Sequence, residues 1–257
     1  MLQRLTILSP GLLGASLGMA ARRHGLAREI HVWARRAEAR LACEEADWCD
    51  RVFVEPGAAV EGAGLVVICA PVEFIPDLVK RIREALDPDA IVTDVGSTKS
   101  LICRLSQAAL GGRGTFIGSH PMAGSEKSGM AHADAALFQD RACFVTPLEE
   151  SDESRVLSVC RFWRALGMEI KTTSPESHDE IVAHISHLPH LLASALCCQL
   201  AEKQGWEAFA GGGLRDTTRV AAGSPTLWKS IIEQNDAEVL RAIRGFEKKL
   251  QEMQSAI

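Results

Sequence analysis

Two blocks of this sequence concentrate side chains able to move protons. Asp94-Val95-Gly96-Ser97-Thr98-Lys99 and Gly118-Ser119-His120-Pro121-Met122-Ala123-Gly124-Ser125-Glu126-Lys127-Ser128-Gly129 each follow an apolar run that reads as a β-strand. Open α/β sheets place ligands at the carboxyl ends of their strands. An imidazole at such a place, His120, can take a proton from a substrate alcohol while hydride leaves the same carbon. Ser97, brought beside it, would share the hydrogen bond to that alcohol. Each residue also has a structural role open to it: His120 precedes a proline and could serve a turn, and Ser97 could cap a helix beginning near Thr98.

Hydride needs an acceptor, and the N-terminal turn Ser9-Pro10-Gly11-Leu12-Leu13-Gly14 suits one. It joins a strand-like run at 5–8 to a helical pattern at 12–24, the context in which backbone N–H groups and a helix N-terminus face a dinucleotide's pyrophosphate. Ser9 stands where the first glycine of G-x-G-x-x-G belongs, while Gly11 and Gly14 hold the positions for close phosphate approach and helix packing. The alternative is a plain strand-to-helix turn. Ala70 and Pro71, closing the strand at 65–70, complete the cofactor candidates. At the end of the second strand, where an NAD enzyme usually carries an acid for the ribose hydroxyl, the chain reads Val32-Trp33-Ala34-Arg35-Arg36. Two guanidiniums in that place suit a 2'-phosphate, so NADP is favoured over NAD, unless the pair is simply a solvated helix start.

The elements that must position these residues follow from periodicity. Strand patterns at 5–8, 30–33, 65–70, 90–94, 115–118 and 142–146 alternate with helical ones at 12–24, 74–86 and 101–110. Alternation of this kind predicts a doubly wound α/β fold with a parallel sheet and right-handed crossovers. A helix at 153–166 and a last strand at 168–172 extend that domain to residues 1–173. Ser174-Pro175-Glu176 then opens a helix, with serine as cap and proline at the first position. Further helices are expected at 226–234 and 237–253. The helical second domain, 174–257, is small enough to be marginal alone and is expected to pack its apolar faces on a partner subunit.

Composition limits the classes. Hydrophobic residues make up 47% and charged residues 24% of 257, as in ordinary globular proteins, and the net charge is −5. With no basic run, a nucleic-acid or anionic-membrane surface is not expected, although a local basic pocket for a small anion is compatible. No stretch approaches the ~18 apolar residues of a bilayer span, and no signal region follows Met1, so the cytoplasm is the expected compartment. Eight cysteines without CxxC spacing read as reduced core thiols. His184, His187 and His190 recur every third residue, but Pro189 disturbs their helix and no ligand completes a tetrahedral set, so no metal is expected.

The His120 block, Ser177-His178-Asp179, Ser186-His187-Leu188-Pro189-His190 and Gly211-Gly212-Gly213-Leu214-Arg215-Asp216-Thr217-Thr218-Arg219, in this order, resemble the prephenate and arogenate dehydrogenase family of tyrosine biosynthesis. The resemblance implies a Rossmann-type domain, an all-helical C-terminal dimerisation domain and an active site in the cleft between them. It implies that His120 is the catalytic histidine, with Ser97 as its hydrogen-bond partner, and that Arg219 holds a substrate carboxylate. His190, Glu126 and Ser125 match substrate-side positions, and Trp228 an aromatic one that a neighbouring subunit can contribute. His187, Asp179 and Asp216 match residues organising the polar site, although Asp216 could instead simply pair with Arg219 one helical turn away. The implied reaction is oxidative decarboxylation of prephenate or arogenate, between which these residues do not choose. Since the chain stops at Ile257, any tyrosine feedback is expected to act within the two domains. Rival readings are a β-hydroxyacid or ketopantoate type of dehydrogenase, which would use a helix-borne lysine, and a non-catalytic NADP-sensing protein.

Overall fold

The computed structural model describes residues 1–124 and 129–257, so the expectations for Ser125 and Glu126 lie outside the described residues. The chain forms two compact units, Met1–His178 and Asp179–Ile257.

In the first unit, β1 (Leu2–Leu8), α1 (Leu12–Arg23), β2 (Ala27–Trp33), α2 (Ala37–Glu44), β3 (Arg51–Phe53), α3 (Pro56–Val60), β4 (Leu65–Ile68), α4 (Ile75–Ile82), β5 (Ile91–Asp94), α5 (Ser100–Leu110) and β6 (Thr115–Phe116) alternate. The six strands make a sheet in the order β3-β2-β1-β4-β5-β6, and every pair is parallel. Leu5, Ile7, Ile30, Val32, Leu65 and Val67 are buried, the near-continuous apolar strands of a sheet covered on both faces. Gly18 on α1 lets the Trp48 ring lie against the helix, since a Cβ there would fall 2.1 Å from it.

Two features depart from the sequence expectation. The edge strand β3 was not anticipated, because three residues with a half-exposed face carry no apolar run. The strand expected at 115–118 is divided: β6 closes the large sheet, and β7 (Gly118–Pro121) leaves it to pair antiparallel with β8 (Ala142–Thr146). After α6 (Glu153–Ala165), β9 (Glu169–Thr172) adds parallel to β8 and completes a separate three-stranded sheet. The chain can turn at Gly118 because a side chain is missing: a Cβ there would lie 2.4 Å from Cys103 Sγ and 2.6 Å from Thr146 Oγ1.

α7 (Pro175–Val182) starts as its sequence predicts, with Ser174 Oγ accepting the Ser177 N–H at 3.1 Å. A π turn at Ala183–His187 joins it to α8 (Leu188–Ala201). Pro189 explains the turn, for it lacks the N–H that Ile185 would receive and its ring crowds that carbonyl. The resulting helix, Pro175–Ala201, has 27 residues and, by length and composition, is apolar enough to cross a membrane, which corrects the expectation that no stretch would be. It buries His178, Asp179, His187 and His190, and 33% of its most apolar window is buried. α9 (Gly212–Thr218), α10 (Pro225–Gln234) and α11 (Asp236–Ala256) complete the second unit. Its core is small, built on Ala183, Leu188, Val239 and Ala242, and leaves Ile185, Trp206, Phe209, Leu227 and Leu240 exposed.

Candidate active site

His120 lies on β7 with its side chain buried, and the strand before it is anchored by a network the sequence does not advertise. Lys99 and Asp94 are fully buried and paired, and Lys99 Nζ also donates to the Ser119 carbonyl at 3.0 Å. The Asp94 carboxylate accepts the Gly96 N–H at 2.8 Å and the Ser119 N–H at 3.1 Å. Ser119 Oγ donates to the Asp94 carbonyl at 2.8 Å and receives Trp163 Nε1 at 3.0 Å. One carboxylate thus ties the turn carrying Ser97 to the strand carrying His120. Ser97 does not cap α5: the helix begins at Ser100 and Lys99 occupies the cap position. Lys99 is committed to this network, not displayed as the lysine of a β-hydroxyacid type of site.

The His120 ring meets a second imidazole. His120 Nδ1 and His178 Nε2 are 2.9 Å apart, with the rings edge to face at 5.1 Å. Phe144, directly opposite His120 in the β7–β8 register, packs edge-on against His178 at 5.1 Å. His178 is fully buried. It stands in one of the sequence blocks beside Asp179, the residue expected to organise the site, whose backbone carbonyl accepts from Asn235 Nδ2 at 2.8 Å.

A cleft of about 690 Å³ opens at the carboxyl ends of β1, β2 and β4. Ser9, Gly11, Arg35, Arg36, Ala70 and Pro71, all expected at a cofactor site, line it. Ser9 has φ +74°, the left-handed conformation that explains why glycine is usual there. Gly11 has open space around its Cβ position, and the first turn of α1 carries no acid, so the turn fits a pyrophosphate. Leu12, Leu13 and Gly14, expected there as well, are not among the residues that line the cleft. A Cβ on Gly14 would lie 2.7 Å from the Ser9 carbonyl and 3.2 Å from Cys69 Cβ, so its part is close packing of α1 on the sheet. Arg35 and Arg36 are exposed, and the loop bearing them is braced by Arg40 Nη1, which donates to the Ala34 and Arg35 carbonyls at 3.0 and 2.9 Å. Arg81, which no sequence motif marks, also lines the cleft and lies over the Trp33 ring at 5.4 Å.

In the second unit, His190 and Trp228 are stacked, with centroids 3.6 Å apart and planes within 6°. His190 Nδ1 bonds the Val220 carbonyl at 2.9 Å, which fixes the turn where Arg219 is exposed. Burial lowers the His190 pKa, against the opposing pull of that hydrogen bond, and favours a neutral ring. Gly223 makes room for Trp228, whose Nε1 would lie 2.3 Å from a Cβ. His187 Nδ1 faces Asn235 Nδ2 at 3.2 Å. Asp216 is exposed on α9, and the ion pair that its spacing from Arg219 permits does not form. The π turn also takes His184, His187 and His190 out of regular helical register. Among the described residues no group of three or more potential ligands could hold a metal ion.

The prephenate dehydrogenase nucleotide-binding domain matches residues 17–172, and the prephenate dehydrogenase dimerization domain matches 174–257. The chain belongs to the prephenate dehydrogenase family. A prephenate dehydrogenase of Bacillus subtilis is 31% identical over 238 residues, covering 90% of this chain and 63% of that protein. The chain therefore spans somewhat less than two thirds of that relative's length. The crystal structure of Aquifex aeolicus prephenate dehydrogenase in complex with hydroxyphenyl propionate and NAD+ superposes with TM-score 0.92 at 30% identity, covering 99% of this chain and 90% of that one. Synechocystis arogenate dehydrogenase gives TM-score 0.86 at 29% identity, covering 98% and 91%. The His120–His178 contact, the buried Lys99–Asp94 pair and Arg81 beside the cleft are not foretold by the sequence. Lys99 and Asp94 left a trace in their block, but a buried lysine cannot be told from a surface one by type alone.

Proposed function

We propose that this chain catalyses the oxidative decarboxylation of prephenate or arogenate, giving 4-hydroxyphenylpyruvate or tyrosine, with NADP as the preferred acceptor. The observation that carries the reading is His120, buried on β7, paired with His178 and tethered through Ser119 to the turn bearing Ser97. A nicotinamide nucleotide, when bound, accepts hydride from the carbinol carbon. His120 takes the hydroxyl proton as the hydride leaves, and Ser97 orients the hydroxyl. The ring carboxylate then departs as carbon dioxide, its bonding electrons aromatise the ring, and His120 returns the proton to the phenolic oxygen. No proton is released overall.

Arg219 holds a substrate carboxylate, with His190, Trp228, Ser125 and Glu126 shaping the side-chain end and His187, Asp179 and Asp216 organising polar groups around them. The preference for NADP rests on Arg35 and Arg36, which line the cleft at the end of β2, where no acid stands. The two acids of the cleft, Glu38 and Asp77, come from α2 and α4 instead. The exposed apolar residues of the helical unit support a homodimer through residues 174–257, with 1–173 as the nucleotide-binding domain. All eight cysteines are free thiols, four of them buried and Cys198 exposed, in keeping with a reducing cytoplasm. The test is a four-way assay crossing prephenate and arogenate with NAD and NADP. Turnover of one substrate, faster with NADP, is expected; absence of turnover in all four arms overturns the activity, and faster turnover with NAD overturns the cofactor preference.

A further inference from the structure

We propose that His178 is the positioning residue that sets the tautomer of His120 and shares the charge His120 acquires in the reaction; this rests on His120 being the base. The contact joins His120 Nδ1 to His178 Nε2, so the substrate hydroxyl has to be met by His120 Nε2. A base must present that nitrogen unprotonated. The His120 proton therefore belongs on Nδ1, where it is donated to His178, and His178 accepts through an unprotonated Nε2 while carrying its own proton on Nδ1. If the pair were arranged the other way, His120 would hold its proton on Nε2 and could not accept one from substrate.

The surroundings favour that single arrangement. Both rings are buried, which disfavours a resting imidazolium, and two protonated rings cannot point N–H at N–H across 2.9 Å. Phe144 restrains the second ring from the strand position opposite His120, so rotation of His178 away from the contact is opposed by packing. When His120 accepts the substrate proton at Nε2, its Nδ1–H bond to His178 becomes charge-assisted and strengthens as the charge develops. This is the service that a buried carboxylate gives in a Ser-His-Asp triad, performed here by a neutral imidazole.

The experiment has a spectroscopic arm and a kinetic arm. In long-range 1H–15N correlation spectra of the ligand-free protein, with His120 assigned by the loss of its signals in His120→Asn, the proton is expected on His120 Nδ1 and on His178 Nδ1. A proton on His120 Nε2 overturns the proposal. In the kinetic arm, His178→Phe keeps a ring against Phe144 but accepts no hydrogen bond, and kcat is expected to fall roughly 10- to 100-fold with KM little changed. His178→Gln, whose amide oxygen can accept from Nδ1–H, is expected to recover most of that loss. Equal kcat for the Phe and Gln variants, or no loss in either, overturns the proposal. If His178→Phe does not fold, the Gln variant and the wild-type spectra still decide it. If wild type turns over neither prephenate nor arogenate, the functional reading fails while the spectra still report the tautomer.

Discussion

Replacing Lys99 with methionine tests whether the Asp94–Lys99 pair holds β7, the strand that bears His120. Both side chains have no exposed surface, so water cannot compensate either charge when its partner is lost. Methionine fills much the same volume and leaves the Asp94 carboxylate with the N–H groups of Gly96 and Ser119 but no countercharge. Breaking a buried pair from one side typically costs about 3–5 kcal/mol. Against a total stability on the order of 5–15 kcal/mol, that is a large fraction. The Ser119 carbonyl also loses a donor, but this belongs to the same network and does not simply add. Trp163 is a built-in reporter, fully buried with its Nε1 on Ser119 Oγ, so urea unfolding followed by tryptophan fluorescence reads the affected unit. Asp94→Asn combined with Lys99→Met removes both charges and should recover at least ~1 kcal/mol relative to Lys99→Met alone. If Lys99→Met costs less than about 1 kcal/mol, or the double variant is no more stable than the single one, the pair does not anchor β7 by its charges.

Three further outcomes follow from the site. His120→Asn should lower kcat by on the order of 10²–10⁴ while the dissociation constant for NADP, measured by fluorescence titration, stays unchanged; an unaltered kcat removes His120 from the chemistry. Arg35→Ala with Arg36→Ala should weaken NADP binding roughly 10- to 100-fold and leave NAD nearly unaffected, and equal weakening of both would refute the 2'-phosphate role. Burial, aided by the charge of Arg4, lowers the pKa of His31 below 6.5, and burial lowers that of His190 likewise. In both cases the unfolded chain binds protons that the folded one refuses, so stability is complete above about pH 6.5 and is lost as pH falls toward the folded values. His31→Phe, which keeps the ring beside Phe53, should flatten that loss in urea midpoints measured between about pH 5 and 7; an unchanged slope would show that His31 does not titrate differently on folding.

What was legible in the sequence is what local chemistry encodes. The Ser9–Gly14 turn, the Ser174–Pro175 helix start and the alternation of strands and helices each depend on residues a few positions apart, and each is found where it was read. What escaped depends on partners far along the chain. His120 and His178 are 58 residues apart, and Asp94 and Ser119 are 25, so neither contact leaves a periodicity to detect. The split at Gly118 was hidden for the same reason, since the atoms that exclude a side chain there belong to Cys103 and Thr146. The motif glycine and the motif histidine thus have one structural cause. Gly118 lets the chain leave the parallel sheet, and only after that departure does β7 lie antiparallel to β8, with Phe144 opposite His120 and against the His178 ring. A side chain at 118 would displace β7 and so move His120, the proposed base, which gives Gly118 and His120 a shared structural role within one block.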